Sequence, residues 1–299
     1  MSKKFYADHE EVFHYTTAAG LYGIVSSKTL WASHTQFLND TEEGVGFSRR
    51  ILPKILRSVV KPEKLTEIVK LLEIAQTTAQ DNYVTAFCAT KDKWIAQNGL
   101  LSQWRGYGLD GGYAIVFDAK GLEDLLNTER KMYFEVEWAW GNVQYTPADL
   151  SSFQDKHNVK HFEHVRKGVS DFLETKDTKK AYPAFNSIAL LSAFYKHRGF
   201  KEEKEFRIFV SEPSAKVGPA PSNKSGKAYR IAHSYLRNGA TVPCIHLFED
   251  QELKALPIRR VIVGPHLEKQ ERKKSVEIFL RNHGTGAKVS VSDTPFRGK

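Results

Sequence analysis

Two glutamates and an arginine alternate within one charged segment, residues 201–210. The second half of this segment is apolar and aromatic, which is typical of a β-strand. Because side chains alternate across a strand, Glu203, Glu205 and Arg207 would share one face, with the apolar residues on the other. Two carboxylates beside a cation could stabilise positive charge in a transition state, orient a nucleophile or bind a metal. The alternative is ion pairing on a surface strand, which is worth only about 0–1 kcal/mol per pair.

The same segment also allows a metal-dependent nuclease. Glu202 and Lys204, separated by one residue, resemble half of the core of restriction-type nucleases. That core needs an acidic residue at the end of an upstream strand, and Asp118 is the candidate that fits. This alternative predicts a divalent cation bound near Asp118, whereas the first interpretation requires no metal.

A histidine and a threonine stand two residues apart on the first predicted strand. His14 and Thr16 would therefore share a face, and both can donate and accept hydrogen bonds. They could hold a polar ligand. The structural alternative is a strand-end histidine beside a threonine that caps the following helix.

A predicted helix ends in aromatic and basic residues before a glycine-rich loop. Trp104 and Tyr107 could stack on a base or a nicotinamide ring, and Arg105 could meet a phosphate. An aromatic helix end buried against a sheet would give the same pattern. The glycines that follow do not form a phosphate-binding fingerprint.

Histidines and cysteines give no convincing metal site. His157, His161 and His164 share a predicted helix, and pairs of them could bind a metal. No acidic or cysteine partner is evident and lysines and arginines surround them, so we expect a solvated face. Cys88 and Cys244 are too few for a disulfide framework or a tetrahedral site, and we expect ordinary buried residues.

Composition limits the function classes. The 299 residues carry a net charge of +9, which favours polyanionic partners such as nucleic acid or nucleotides. Hydrophobic residues make up 41% of the chain, enough for a sizeable core, but no apolar run is long enough for a membrane helix. The N-terminus has no apolar signal region, so we expect a cytoplasmic protein.

The patterning indicates a mixed α+β fold with a split, mostly antiparallel sheet flanked by helices. We expect strands at about 12–17, 29–33, 83–88, 113–118, 201–210, 228–233, 242–248, 258–263 and 288–291, a hairpin over 131–145, and helices at about 18–26, 41–60, 63–79, 148–175, 181–197 and 266–282. No linker divides the chain, so we expect a single domain over 1–299. It would carry helical insertions at about 41–80 and 148–198 and a loop at 211–227.

Several short segments, taken in order, resemble a large bacterial family known as a domain of unknown function. The segments are Leu30–Ser33, Leu38–Asp40 with Glu43, Trp104–Tyr107 leading to Phe117–Asp118, Phe200–Ile208, Pro243–Ile245, Ile262–Pro265 and Ser292–Arg297. They span nearly the whole chain. The chain departs from the family at Cys244, where an aromatic residue is frequent.

The opening of the chain resembles that of ADP-ribosyltransferases. His14-Tyr15-Thr16, a short helix and a Leu-Trp-Ala-Ser strand match that superfamily's first elements, and Glu203-Lys204-Glu205 matches its E-x-E arrangement. The resemblance implies an ADP-ribosyltransferase-like fold in which the strand carrying Glu205 faces His14.

That resemblance also implies roles for individual residues. Glu205 would stabilise the cationic sugar and Glu203 would orient or activate the acceptor. NAD would be the substrate, and the implied NAD-binding residues are His14, Tyr15, Thr16, Ser33, Asn39, Trp104, Arg105, Tyr107 and Arg207. The acceptor would be a nucleic acid or a protein, as in a toxin or an antiphage effector. A metal-dependent nuclease and a non-catalytic module that binds nucleic acid or a partner remain alternatives.

Overall fold

The computed structural model describes residues 9–38, 45–107, 112–145, 156–214, 226–237 and 239–295. The helices are α1 (Ala18–Ser27), α2 (Val45–Arg50), α3 (Leu52–Leu56), α4 (Leu65–Ala79), α5 (Lys93–Asn98), α6 (Leu101–Tyr107), α7 (Ala119–Met132), α8 (Lys156–Thr175), α9 (Tyr182–Ala193) and α10 (Lys269–Asn282). The strands are β1 (Glu11–Thr16), β2 (Leu30–His34), β3 (Gln80–Cys88), β4 (Tyr113–Asp118), β5 (Glu137–Asn142), β6 (Gln144–Tyr145), β7 (Tyr195–Lys196), β8 (Glu205–Pro213), β9 (His233–Arg237), β10 (Ala240–Leu247), β11 (Ile258–Val263) and β12 (Lys288–Val291). No helix among these residues is long and apolar enough to cross a membrane.

Ten of these strands form one sheet that branches at β3. The main path runs β12-β11-β4-β1-β3-β2-β10-β9, while β8 pairs with the other edge of β3 and β5 extends the sheet beyond β8. Every pairing in this sheet is antiparallel except that of β11 with β12. The fold is therefore mixed α+β with a mostly antiparallel sheet and flanking helices, as predicted.

The branch arises because β1 and β2 share one edge of β3. β1 meets β3 at a single position, Phe13 opposite Cys88, whereas β2 pairs further along through Ser33 opposite Val84. On its other edge β3 pairs with β8 over its whole length, which places Glu205 opposite Cys88. Phe13, Cys88 and Glu205 thus form one row across three strands.

The pleat of the sheet divides these strands into two faces. Residues directly opposite each other in a ladder point the same way, and sequence neighbours point oppositely. We call the side that carries Phe13, Cys88 and Glu205 the Glu205 face. The other, the Phe206 face, carries Phe87 and Phe206, which are paired in the next row and packed in the main core.

The two predicted helical insertions pack together on the Glu205 face. Helices α2 to α4 and α8 to α9 enclose a second apolar core that includes Phe47, Ile55 and Ile188. Helix α9 also packs on the sheet, where Leu190 belongs to one buried cluster with Phe209. The apolar composition of α9 on nearly every side reflects this position between two cores.

Three predicted elements differ from the structure. The strand predicted at 228–233 is displaced along the chain, because β9 begins only at His233 and ends at Arg237. The hairpin predicted over 131–145 is wrong, because α7 continues to Met132, β5 pairs with β8, and β6 pairs in parallel with β7. The strand predicted from residue 201 begins only at Glu205. Residues 198–203 form a 3-10 turn, and Lys204 adopts a left-handed conformation (φ 43°) that separates the turn from the strand.

Candidate functional site

Glu205 lies at the centre of a buried cluster of charges. Its carboxylate accepts hydrogen bonds from Arg207 at both oxygens, with Nε at 2.7 Å from Oε1 and Nη2 at 3.1 Å from Oε2. Lys196 Nζ donates to Oε2 at 3.0 Å. The residue is 3% exposed. A charge at such depth is stable only when it is paired and hydrogen-bonded, and these three contacts meet that requirement.

Lys196 joins the two glutamates of the charged segment. Its ammonium group donates to Glu203 Oε2 at 2.8 Å as well as to Glu205 and lies 4.8 Å from the centre of the Phe200 ring. The left-handed turn at Lys204 folds Glu203 back toward this ammonium group. Glu203 and Glu205 therefore meet as predicted, through a shared lysine and not through alternation along a strand.

Backbone contacts hold the cluster in place. The Tyr145 hydroxyl accepts a 2.7 Å hydrogen bond from the Glu205 N–H, and the Val143 N–H donates to the Glu205 carbonyl at 2.9 Å. Arg207 Nη1 donates to the Ala193 carbonyl at 2.6 Å, at the end of α9. The cluster thus ties β8 to the β5–β6 connection and to the helical layer.

The charges determine which groups are ionised. Burial by itself would raise the pKa of Glu205, but Arg207 and Lys196 outweigh it and hold that pKa below its ordinary value. Burial, reinforced by the charges of Glu205 and Glu203, raises the pKa of the Cys88 thiol well above its ordinary value. The site therefore presents a carboxylate at neutral pH, and Cys88 is a protonated thiol and not a thiolate nucleophile.

A cavity of about 310 Å³ opens beside the cluster, where β3 and β5 end and β8 begins. Glu205, Tyr145 and Asn142 contribute to its wall, together with Lys91 and Lys204. The two lysines give the cavity a cationic rim suited to an anionic ligand.

A second pocket of about 10 Å³ adjoins Tyr15, Cys88 and Glu203. It has room for about one water molecule. The larger cavity is therefore the one of the two that could hold part of a nucleotide.

Four of the predicted ligand-binding residues, Tyr15, Trp104, Tyr107 and Arg207, lie on the same side as the cluster. Tyr15 shares the Glu205 face, and its hydroxyl accepts a 2.7 Å hydrogen bond from the Leu100 N–H. Tyr107 lies close enough that burial of its hydroxyl, reinforced by the charge of Glu205, raises its pKa to about 12. Arg207 binds the carboxylate directly. These residues and the two glutamates form one neighbourhood.

His14 lies on the Phe206 face, away from the Glu205 carboxylate. Its ring packs on Phe87, with ring centres 5.5 Å apart, and its Nδ1 donates to the Ala86 carbonyl at 3.0 Å. Burial lowers its pKa, which favours a neutral ring. Thr16 follows His14 on the same face, and the helix cap is Thr17, whose side chain accepts from the Gly20 N–H. The pleat therefore separates the predicted His14–Thr16 pair from Glu205.

Trp104 packs on Tyr15 but serves the core, and the other predicted residues are dispersed. Trp104 is fully buried, and its indole N–H donates to the Asn98 carbonyl at 2.9 Å, as in the structural alternative. Arg105 is exposed on α6. Ser33 bonds the Tyr235 hydroxyl at 3.0 Å, on the β2 branch of the sheet. Asn39 lies outside the described residues.

The residues of the nuclease alternative lie in other local settings than the sequence suggested. Glu202 lies in the 3-10 turn and not on a strand. Asp118 caps α7 through the Gly121 N–H and accepts a 2.7 Å hydrogen bond from Arg259 Nε. Both oxygens of the Asp118 carboxylate therefore already accept hydrogen bonds from nearby residues.

The helical histidines also differ from expectation. His161 is buried and its Nδ1 lies 3.1 Å from the Ser187 hydroxyl, so a solvated face is wrong for this residue. The ring of His164 stands 5.9 Å from that of His161. The side chain of His157 lies outside the described part. Cys244 is buried, as predicted, and Cys88 is partly buried.

Lys196 and Tyr145 are the site residues that the sequence analysis missed. Lys196 directly follows the apolar run of α9 and belongs to the two-residue strand β7. A lysine is rarely buried unless it is paired, so a lysine at the end of such a run signals a buried carboxylate partner. Tyr145 carries no comparable signal, since its contact is to a backbone N–H.

No curated protein and no solved structure matches the chain. Residues 103–208 match the model of a family described as "Protein of unknown function (DUF2971)". The matched stretch begins at Gln103 on α6 and contains Lys196, Glu203, Glu205 and Arg207. The match thus supports the predicted family of unknown function over the part of the chain that builds the ion cluster.

Proposed function

We propose that this chain is an ADP-ribosyltransferase-like enzyme that cleaves NAD beside Glu205 and transfers ADP-ribose to a nucleic-acid or protein acceptor. One observation carries the proposal. Glu205 is one of the residues that line a cavity with a cationic rim, its carboxylate is ionised, and Lys196 Nζ joins that carboxylate to the carboxylate of Glu203. Such a reaction would suit a toxin or an antiphage effector.

The chemistry uses the two carboxylates in different roles. The bond between the nicotinamide nitrogen and the ribose carbon breaks, its electron pair leaves with nicotinamide, and positive charge builds on the sugar. Glu205 offsets that charge as a fixed carboxylate. The acceptor then attacks the same carbon, and its proton passes to Glu203, whose side chain is the more accessible of the two.

Groups around the cavity supply the nucleotide contacts in this proposal. Lys91 and Lys204 would meet the pyrophosphate, and Tyr107 or Tyr145 would contact a ring. His14 has no direct contact in this arrangement, because it lies on the other face of the sheet. The net charge of +9 suits a polyanionic acceptor.

A second candidate is a non-catalytic module that binds nucleic acid or a partner. The observation in its favour is the completeness of the cluster, since Glu205 is 3% exposed and each of its oxygens already accepts from a cation. In that case the four charges serve only to join β8 to the helical layer.

The test is NAD consumption and label transfer by the purified protein, with DNA, RNA and cell lysate as acceptors. We expect turnover by the wild type that falls at least 100-fold in Glu203→Gln and Glu205→Gln. Glu202→Gln is the matched control, because it removes a neighbouring carboxylate that does not contact Lys196. Circular dichroism establishes that each variant is folded.

Two outcomes would decide against the proposal. Absence of turnover together with absence of NAD binding in calorimetry would favour the non-catalytic module. Loss of activity in Glu202→Gln but not in the other variants, with sensitivity to a chelator, would instead favour the nuclease.

A further inference from the structure

Two histidines and a glutamate converge on the β9–β10 hairpin, at the edge of the sheet. His233 pairs with Cys244 across the hairpin, and His246 lies two residues beyond Cys244, so both imidazoles are diagonal neighbours on one face. Phe248 has a left-handed backbone (φ 73°), which turns the chain so that Glu249 faces the two rings. The local fold thus brings together three side chains of the types that bind transition metals.

The distances match those between ligands of one metal ion. Glu249 Oε2 lies 3.1 Å from His233 Nε2, and Glu249 Oε1 lies 3.4 Å from His246 Nδ1. Nitrogen and oxygen ligands of zinc lie about 2.0–2.2 Å from the ion, so two ligands at a tetrahedral angle are roughly 3.3–3.5 Å apart. Among the residues that the structure describes, this is the one group of at least three such side chains whose ligand atoms all lie within 4.8 Å of one another.

Aromatic neighbours hold the imidazoles in position. The His233 and His246 rings are stacked with centres 3.9 Å apart, and Trp31 stacks on His246 at 5.0 Å. Parallel rings point their nitrogens in parallel directions, so a modest rotation of His233, the more exposed histidine, is needed for both to face one ion. Stacking of this kind limits the other motions of the rings.

We propose that His233, His246 and Glu249 bind one divalent transition-metal ion of the zinc class. Neutral imidazole nitrogens and a carboxylate oxygen are borderline ligands that suit zinc, cobalt and nickel. Three protein ligands leave a fourth position open to water or to another ligand.

This site is independent of the proposed function. In the order of the sheet, β10 and β2 separate β9 from β3, and Glu205 lies beyond β3 on β8. The outcome of the NAD experiment therefore does not affect it.

The test is calorimetric titration of tag-free, chelator-treated protein with Zn²⁺, followed by titration with Co²⁺. We expect one ion per chain and a loss of affinity of at least tenfold in His246→Asn and in Glu249→Gln. His164→Asn is the matched control, since it removes a partly buried histidine from the helical layer, and it should bind as the wild type does. Circular dichroism checks the fold of each variant.

The tryptophan stack provides a second measurement. Bound Co²⁺ should quench part of the tryptophan emission, and Trp31→Phe should lose that quenching while keeping Zn²⁺ affinity. Equal affinity in the wild type and in the two ligand variants, or the absence of stoichiometric binding by the folded wild type, would overturn the proposal.

Discussion

Replacing Glu205 by glutamine should destabilise the protein strongly, whatever the protein does. The substitution preserves the shape of the side chain and removes its charge. In the structure the carboxylate accepts three hydrogen bonds from two buried cations. The glutamine oxygen can replace only one of the two carboxylate oxygens, so the new amide group must face an N–H of Arg207 or Lys196 at the other position. Lys196 and Arg207 are at least nine-tenths buried, so water cannot supply the hydrogen bonds that they lose.

The size of the loss follows from the missing charge and from the hydrogen bonds that the carboxylate accepted. A hydrogen bond to a charged group contributes about 1.5–3 kcal/mol. Breaking a buried ion pair by removing one partner costs about 3–5 kcal/mol, because the other charge stays buried. We therefore expect Glu205→Gln to lower the free energy of unfolding by about 3–5 kcal/mol. For a chain of this length that corresponds to a fall in Tm of roughly 6–10 °C.

Urea unfolding at neutral pH, followed by circular dichroism, measures the effect. Glu203→Gln is the control, because the Glu203 side chain is 16% exposed and its loss leaves Lys196 paired with Glu205, so it should lose about 1 kcal/mol. A Glu205→Gln variant as stable as the wild type would refute the buried-cluster reasoning.

The effect should also depend on pH with a defined sign. The pKa of Glu205 is lowered in the folded state, so the folded protein releases this proton at a pH where the unfolded chain still holds it. The contribution is fully present above the ordinary glutamate pKa of 4.5 and is lost as pH falls through the lower, folded pKa. The difference between wild type and variant should therefore shrink only in acid.

Two further perturbations test other parts of the structure. Burial raises the pKa of Glu212 to about 7 despite the nearby Arg230, so the folded protein holds a proton that the unfolded chain has released, and stability should fall by up to about 3 kcal/mol between pH 4.5 and 7. Urea unfolding should show a flatter pH dependence in Glu212→Gln, and an unchanged slope would contradict this. Gly99 has φ 76°, and an added Cβ would lie 2.4 Å from the Trp104 ring, so Gly99→Ala should cost about 2–4 kcal/mol. Thermal unfolding should show no such loss in Gly23→Ala, where a Cβ meets nothing within 4 Å, and equal Tm values would refute the steric account.

Strands with continuous apolar runs could be predicted from the sequence with their correct bounds. β4 and β11 begin and end where predicted, because Gly112, Asp118 and Gly264 interrupt the apolar pattern next to these strands. Such strand bounds can be predicted from a single sequence, because the residues that set them lie next to the strands in the chain.

The site was only partly predictable, because its assembly depends on long-range register. Glu203 and Glu205 were identified by their spacing, but the left-handed turn at Lys204 shows no signal in the residue type. The face on which His14 lies depends on the pairing of Phe13 with Cys88, which are 75 residues apart in the chain. A shift of that register by one residue would have turned His14 toward the Glu205 face.

The charge balance of the cluster limits how it can act. Lys196 and Arg207 offset Glu203 and Glu205, so the four side chains together are neutral. A neutral cluster stabilises a developing cation only if its negative end is the part that faces the substrate. Glu205 is among the residues that line the cavity, and Arg207 donates to its carboxylate as well as to the Ala193 carbonyl. A buried ion cluster of this kind gains little stability over a well-packed apolar one, so its place beside the cavity is the feature that favours a chemical role over a purely structural one.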